Sequence, residues 1–144
     1  MFSKACEYGI RAIVYIAEQS YNDNRVNIKE IAKAIDSPEP FTAKILQILS
    51  RAGIVDSLKG PTGGFLMSHT QMDETHLSHI VAAIDGDQVF VGCGLGLKGC
   101  SNEKPCPVHD KFGVIRNELR HMLETTSVSE LAKGLKEGLT FLKR

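Results

Sequence analysis

Residues 27–67 leave this chain few folds to choose from. Asn27 can cap a helix, Glu30 follows three residues on as a capping box requires, and Ile28, Ile31, Ala32 and Ile35 fall on one helix face. Ser37-Pro38 then supplies an N-cap and a proline in the first turn, where its missing N–H is no loss, so a second helix is expected to start near Pro38. Its inward face reads Phe41, Ile45, Ile48, Leu49 and Ala52, while Pro40, Lys44, Gln47 and Arg51 repeat on another face, and Gly53 marks its end. Ile54-Val55-Asp56-Ser57-Leu58 and Phe65-Leu66-Met67 are short apolar segments around a turn-rich tip, Lys59-Gly60-Pro61-Thr62-Gly63-Gly64, which is the pattern of a β-hairpin. Two short helices, a tight junction and a glycine-tipped hairpin make a winged helix-turn-helix.

The flanking segments read as helices. Cys6, Ile10, Ile13, Val14 and Ala17 form an apolar stripe that ends at Tyr21-Asn22-Asp23-Asn24, and Leu77, Ile80, Val81 and Ile84 form another that ends at Asp85-Gly86. From 86 to 107 periodicity vanishes, and five glycines share the segment with three cysteines and two prolines, as in a functional loop. Beyond it Val108, Phe112, Ile115, Leu119 and Met122 step as a heptad seam, long enough for a helix that docks on its own copy. Ser127 and Glu130 suggest a last capping box before Leu131, Leu135 and Leu139. The expected architecture is mainly α with a small β-hairpin wing, a winged helix-turn-helix plus a long C-terminal dimerisation helix. It divides into a DNA-binding unit over 1–85, a cysteine-rich sensing loop over 86–107, and a dimerisation helix and C-terminal helix over 108–144.

At 144 residues the chain suits one compact core with an appendage. No apolar run approaches a membrane span, and charge interrupts the first residues before any signal-peptide core can form, so a cytoplasmic protein is expected. Lys plus Arg and Asp plus Glu both total 17, so attraction to a nucleic acid must come from a local surface and not from net charge. In a helix-turn-helix the second helix enters the major groove. That assigns base or phosphate contacts to Lys44 and Gln47, with Pro40 and Ala43 shaping the approach. Ser37 stands near the helix N-terminus, and Lys59 and Thr62 at the wing tip. The expected partner is a palindromic double-stranded operator read by a homodimer. The alternative is a winged helix used for protein contacts, with these side chains merely solvated.

Three of the four cysteines, Cys93, Cys100 and Cys106, fall within fourteen residues, which in a reducing compartment points to metal or redox chemistry. Their spacings enclose six and five residues, wider than a zinc knuckle, and Cys106-Pro107 matches the Cys-Pro ending of ferredoxin-type loops. His109 could close a Cys3His set for an iron–sulfur cluster or zinc; thiol or disulfide switching without metal is the other reading. Cys6 lies on a buried stripe and reads as core, and Glu7 has Arg11 four residues on as a helical ion-pair partner.

These residues resemble the Rrf2 family of bacterial winged-helix regulators, in its IscR-like and NsrR-like branches. The resemblance rests on Tyr8-Gly9-Ile10-Arg11-Ala12, residues 28–35, Phe41-Thr42-Ala43-Lys44-Ile45-Leu46, Gly53-Ile54-Val55, the wing from Lys59 through Leu66, and the cysteine triplet. It implies a DNA-binding regulator, repressors among its kind, whose triplet holds an iron–sulfur cluster that adjusts promoter affinity. It implies His109 as fourth ligand in the IscR manner, or Glu7 supplied from the partner subunit in the NsrR manner. The first cysteine spacing is one residue longer than the family's. Without a cluster the alternatives are a thiol switch, a repressor controlled by an enzyme partner, or a small redox protein on a winged-helix scaffold. No enzyme activity is indicated.

Overall fold

The computed structural model describes residues 1–143. Arg144, the last residue of the expected C-terminal segment, lies outside the described residues. Helix α1 (Lys4–Ser20) starts where the Ser3 hydroxyl accepts the Cys6 N–H. Cys6, Ile13, Ile16 and Ala17 are fully buried on it, and it touches four further helices: α2 (Ile28–Ile35), α3 (Glu39–Arg51), α5 (Leu77–Asp85) and α8 (Val128–Lys136). A helix buried on this many sides is the axis of the core.

Asn27 caps α2 by accepting the Glu30 N–H at 2.9 Å, and Asp36 ends it in the left-handed region (φ 54°). The N-cap of α3 is Pro38, one residue later than the expected Ser37. The Ser37 hydroxyl instead meets that of Thr42. The inward face of α3 is also rotated from the expected one: Thr42, Ile45, Leu46 and Leu49 are buried, whereas Phe41 and Ile48 are 36% and 42% exposed and Ala52 is exposed. Thr42 can face inward because its hydroxyl donates to the Pro38 carbonyl at 2.8 Å, leaving no unpaired donor in the core. Phe41 packs edge-on against Tyr8, with ring centroids 5.6 Å apart.

The wing pairs β1 (Asp56–Leu58) with β2 (Gly64–Leu66) antiparallel, and Val26 bridges the other edge of β2 through mutual hydrogen bonds with Phe65. Gly64 has φ 135°, and a Cβ there would lie 2.6 Å from the Val26 carbonyl oxygen, so only glycine admits the Val26 bridge. Helix α4 (His69–Glu74) was not expected, because six residues with one buried side chain, Met72, show no periodicity. It follows a full capping box, Ser68 with Gln71, and the Gln71 amide also donates to the Gly53 carbonyl and the Asp56 carboxylate. The stretch expected to be irregular contains one further turn, α6 (Gln88–Val91), held because Val89 and Phe90 pack partly on the core.

Helix α7 (His109–Thr125) buries Leu123 completely, but most of its heptad seam faces outward, with Phe112 39%, Ile115 57% and Met122 43% exposed. Helix α8 folds back onto α1 and α4. Its Ser127 cap accepts the Glu130 N–H, and the Tyr21 hydroxyl meets that of Ser129 at 3.1 Å. Among the described residues no helix is long and apolar enough to cross a membrane.

Candidate nucleic-acid interface and thiol site

Helix α3 and the wing face each other across an open groove of about 550 Å³. Pro40, Ala43, Lys44 and Gln47 line one wall, Lys59 stands on the other, and Phe65 closes the floor. Five of the seven residues expected to meet DNA therefore share one concavity. Ser37 and Thr62 do not: the first is half-buried at the α2–α3 junction, and the second is exposed at the wing tip. Arg51, which shares the outward face of α3 with Lys44 and Gln47, also lines the groove, as do Ser50 and Ser57, which the sequence did not single out. Their signal was positional, since Ser50 follows Gln47 by one helical turn and Ser57 alternates with Lys59 along the wing. Lys44, Arg51 and Lys59 carry positive charge into the groove and, among the described residues, no carboxylate lines it, so a chain with no net charge is locally basic there.

The second site lies between α6 and α7. The sulfurs of Cys93, Cys100 and Cys106 all lie within 4.8 Å of one another, and those of Cys93 and Cys106 are 3.7 Å apart. Backbone N–H groups of Leu97 and Leu95 point at the Cys93 sulfur and push its thiol down to about 7, because they stabilise the thiolate. Burial raises the Cys106 thiol. The Cys100 sulfur accepts the Cys106 N–H at 3.4 Å and lies 3.1 Å from His109 Nδ1. On its far side the imidazole meets the amide oxygen of Asn102, with Nε2 3.0 Å away. An Nε2–H that donates to Asn102 leaves the Nδ1 lone pair facing Cys100, and carboxamides and carbonyls orient metal-binding imidazoles in this way. Asn102 was not singled out in the sequence, where nothing distinguishes a loop asparagine.

Glu7 stands apart from this group within the chain. It pairs with Lys4 at 3.8 Å, not with Arg11, whose guanidinium lies over the Tyr8 ring at 4.8 Å. Cys6 is fully buried in the core, as its stripe implies, and burial followed by the nearby Asp85 carboxylate pushes its thiol up to about 12. The two sites predict opposite thiol behaviour in metal-free, reduced protein. Alkylation of Cys93 by iodoacetamide should climb as pH rises through about 7, while Cys6 stays unmodified in the folded state. Peptide mapping reads both, and a Cys93 rate that climbs only near the ordinary value of 9.0 contradicts the assignment.

A recognition helix, a wing and a basic groove between them define the class, a winged-helix DNA-binding protein, here carrying a three-thiol site. The chain belongs to the Rrf2 family of transcriptional regulators, described as "Iron-dependent Transcriptional regulator", whose model matches residues 2–134. It is 31% identical over 133 residues to a "Putative HTH-type transcriptional regulator" of Aquifex aeolicus (strain VF5), covering 91% of this chain and 90% of that one. Its fold is similar to that of CymR (YrzC), the global cysteine regulator of B. subtilis, with a TM-score of 0.75 at 22% identity over 92% of this chain and 96% of that one. The fold of T. potens IscR is similar with a TM-score of 0.73 at 18% identity, over 97% and 91% of the two chains.

Proposed function

We propose that this regulator works as a homodimer whose affinity for a palindromic operator follows the state of an iron–sulfur cluster on Cys93, Cys100 and Cys106. The observation that carries the reading is the convergence of three thiols at the foot of α7, two of whose sulfurs accept backbone N–H bonds. Soft thiolate donors with an adjacent imidazole fit iron–sulfur ligation, and in this reading His109 is the fourth donor, supported by its Nδ1 lying 3.1 Å from the Cys100 sulfur with its ring held by Asn102. Such a cluster supplies a redox group that oxidants and nitric oxide alter or remove. The chain's own part is to hold four donors beside a helix whose exposed Phe112, Ile115 and Met122 form the dimer seam. Two protomers then carry two grooves at a spacing set by that seam.

In each groove Lys44 and Gln47 face base edges and phosphates, and Lys59 reaches a flanking phosphate, with Ser37 and Thr62 at its margins. A duplex selected from a random-sequence pool by the wild-type protein is the probe. Lys44→Ala and Lys59→Ala each remove one phosphate contact per protomer, so each should flatten the slope of log affinity against log salt by about two in the dimer. Unchanged slopes in both variants overturn the groove assignment.

The 3.7 Å separation of Cys93 and Cys106 favours one second reading, a metal-free switch in which a hydroperoxide oxidises the two thiols to a disulfide, yielding an alcohol and water. Anaerobic purification separates the two: bound iron and sulfide support the cluster, and a colourless, iron-free protein supports the disulfide.

A further inference from the structure

Two of the three sulfurs are tied to α7 locally. Cys106 stands three residues before His109, the first residue of α7, and Cys100 is held by His109 itself. Cys93 has neither tie, since the chain reaches it from α6, at the other end of the loop. Beyond its sulfur contact with Cys106 and the Leu95 N–H of its own loop, its position rests on tertiary contacts.

Those contacts come from one stripe of α7. The Arg116 guanidinium donates to the Gly92 carbonyl at 3.0 Å, immediately before Cys93. The Phe112 ring lies against Gly94, immediately after it, so closely that a Cβ at Gly94 would fall 2.5 Å from the ring. One turn further along α7, Arg120 lies over the Phe90 ring at 5.8 Å. Phe112, Arg116 and Arg120 advance by four along the helix while Gly94, Gly92 and Phe90 recede by two, an antiparallel clamp with Cys93 between its first two contacts. The other half of Phe112 belongs to the exposed seam.

We infer that Arg116 and Phe112 are positioning residues of the thiol site, which fix the Cys93 sulfur against Cys100 and Cys106 and couple it to the seam of α7. The inference rests on the proposed reading of the three thiols as ligands, but its geometry can be tested without metal. In reduced, metal-free, full-length protein, dibromobimane bridges neighbouring thiols, and peptide mapping reports the Cys93–Cys106 bridge. Arg116→Met keeps the side chain's bulk and loses the donor, so the bridging rate should fall about five-fold, as expected for one lost hydrogen bond, while Arg116→Lys, which keeps a donor, stays within about two-fold. Gly94→Ala pushes on Phe112 and should slow bridging independently. Cys6 remains unreactive in any variant that folds, so global unfolding is read separately.

In anaerobically loaded protein the same variants should lose iron to a chelator faster and change the visible circular dichroism. Wild-type bridging rates in both Arg116→Met and Gly94→Ala overturn the inference, whatever the metal content. Slowed bridging in a protein that binds no iron upholds the clamp and refutes the cluster.

Discussion

Replacing Cys106 by alanine is expected to strip the protein of iron and sulfide and to shift its operator affinity to that of the cluster-free form. Cys106 is the one buried member of the triplet, its sulfur is 3.7 Å from that of Cys93, and its N–H bonds the Cys100 sulfur. Its removal therefore takes away one proposed ligand and unsettles the other two. The affinity change should be about 5- to 150-fold, the range of typical allosteric couplings, because a ligand shifts an equilibrium only by its differential affinity for the two states. Iron and sulfide analysis with binding to the selected duplex reads both effects. A Cys106→Ala protein that retains full iron would remove the triplet from the ligand set.

The second large effect concerns the core beneath the recognition helix. Leu46 is fully buried, so Leu46→Ala should cost about 2–5 kcal/mol, through lost transfer energy and the cavity left behind. Typical domains have only about 5–15 kcal/mol in total, so the variant should unfold at a much lower denaturant concentration. Ile48, two residues on and 42% exposed, should cost less than about 1 kcal/mol as Ile48→Ala. Equal losses at the two positions would mean that the α3 face is not the one described.

That contrast shows where the sequence could be read and where it could not. Helix existence followed from periodicity and capping residues, and the wing from its glycines, because both are local matters of backbone geometry. The inward face of α3 did not, since hydropathy ranks Phe41 and Ile48 above Thr42. What buries Thr42 is a hydrogen bond to the Pro38 carbonyl and a contact with the Ser37 hydroxyl, neither of which has a periodicity. Helix α4 was hidden for a related reason: a single buried residue makes no stripe, although its Ser68–Gln71 capping box was legible.

The thiol site divides in the same way. Three clustered cysteines and a nearby histidine announced it, but spacing alone could not say that the sulfurs converge within 4.8 Å, or that Asn102 orients the His109 ring. Nor could it show that the Cys93 limb is gripped by Arg116 and Phe112, because those contacts join residues that no local pattern relates. The groove was more legible, since Pro40, Ala43, Lys44 and Gln47 share a helix face and the wing supplies Lys59. Arg51, Ser50 and Ser57 join it where the wing packs beside α3.

We propose that one chain couples a thiol-held cluster to a DNA-reading groove. The most direct test of this coupling is the affinity of the anaerobically isolated protein for one selected duplex, measured at fixed salt before and after the cluster is removed by chelation. The expected result is iron- and sulfide-containing protein whose affinity changes about 5- to 150-fold on removal. Identical affinities in the two states would contradict it.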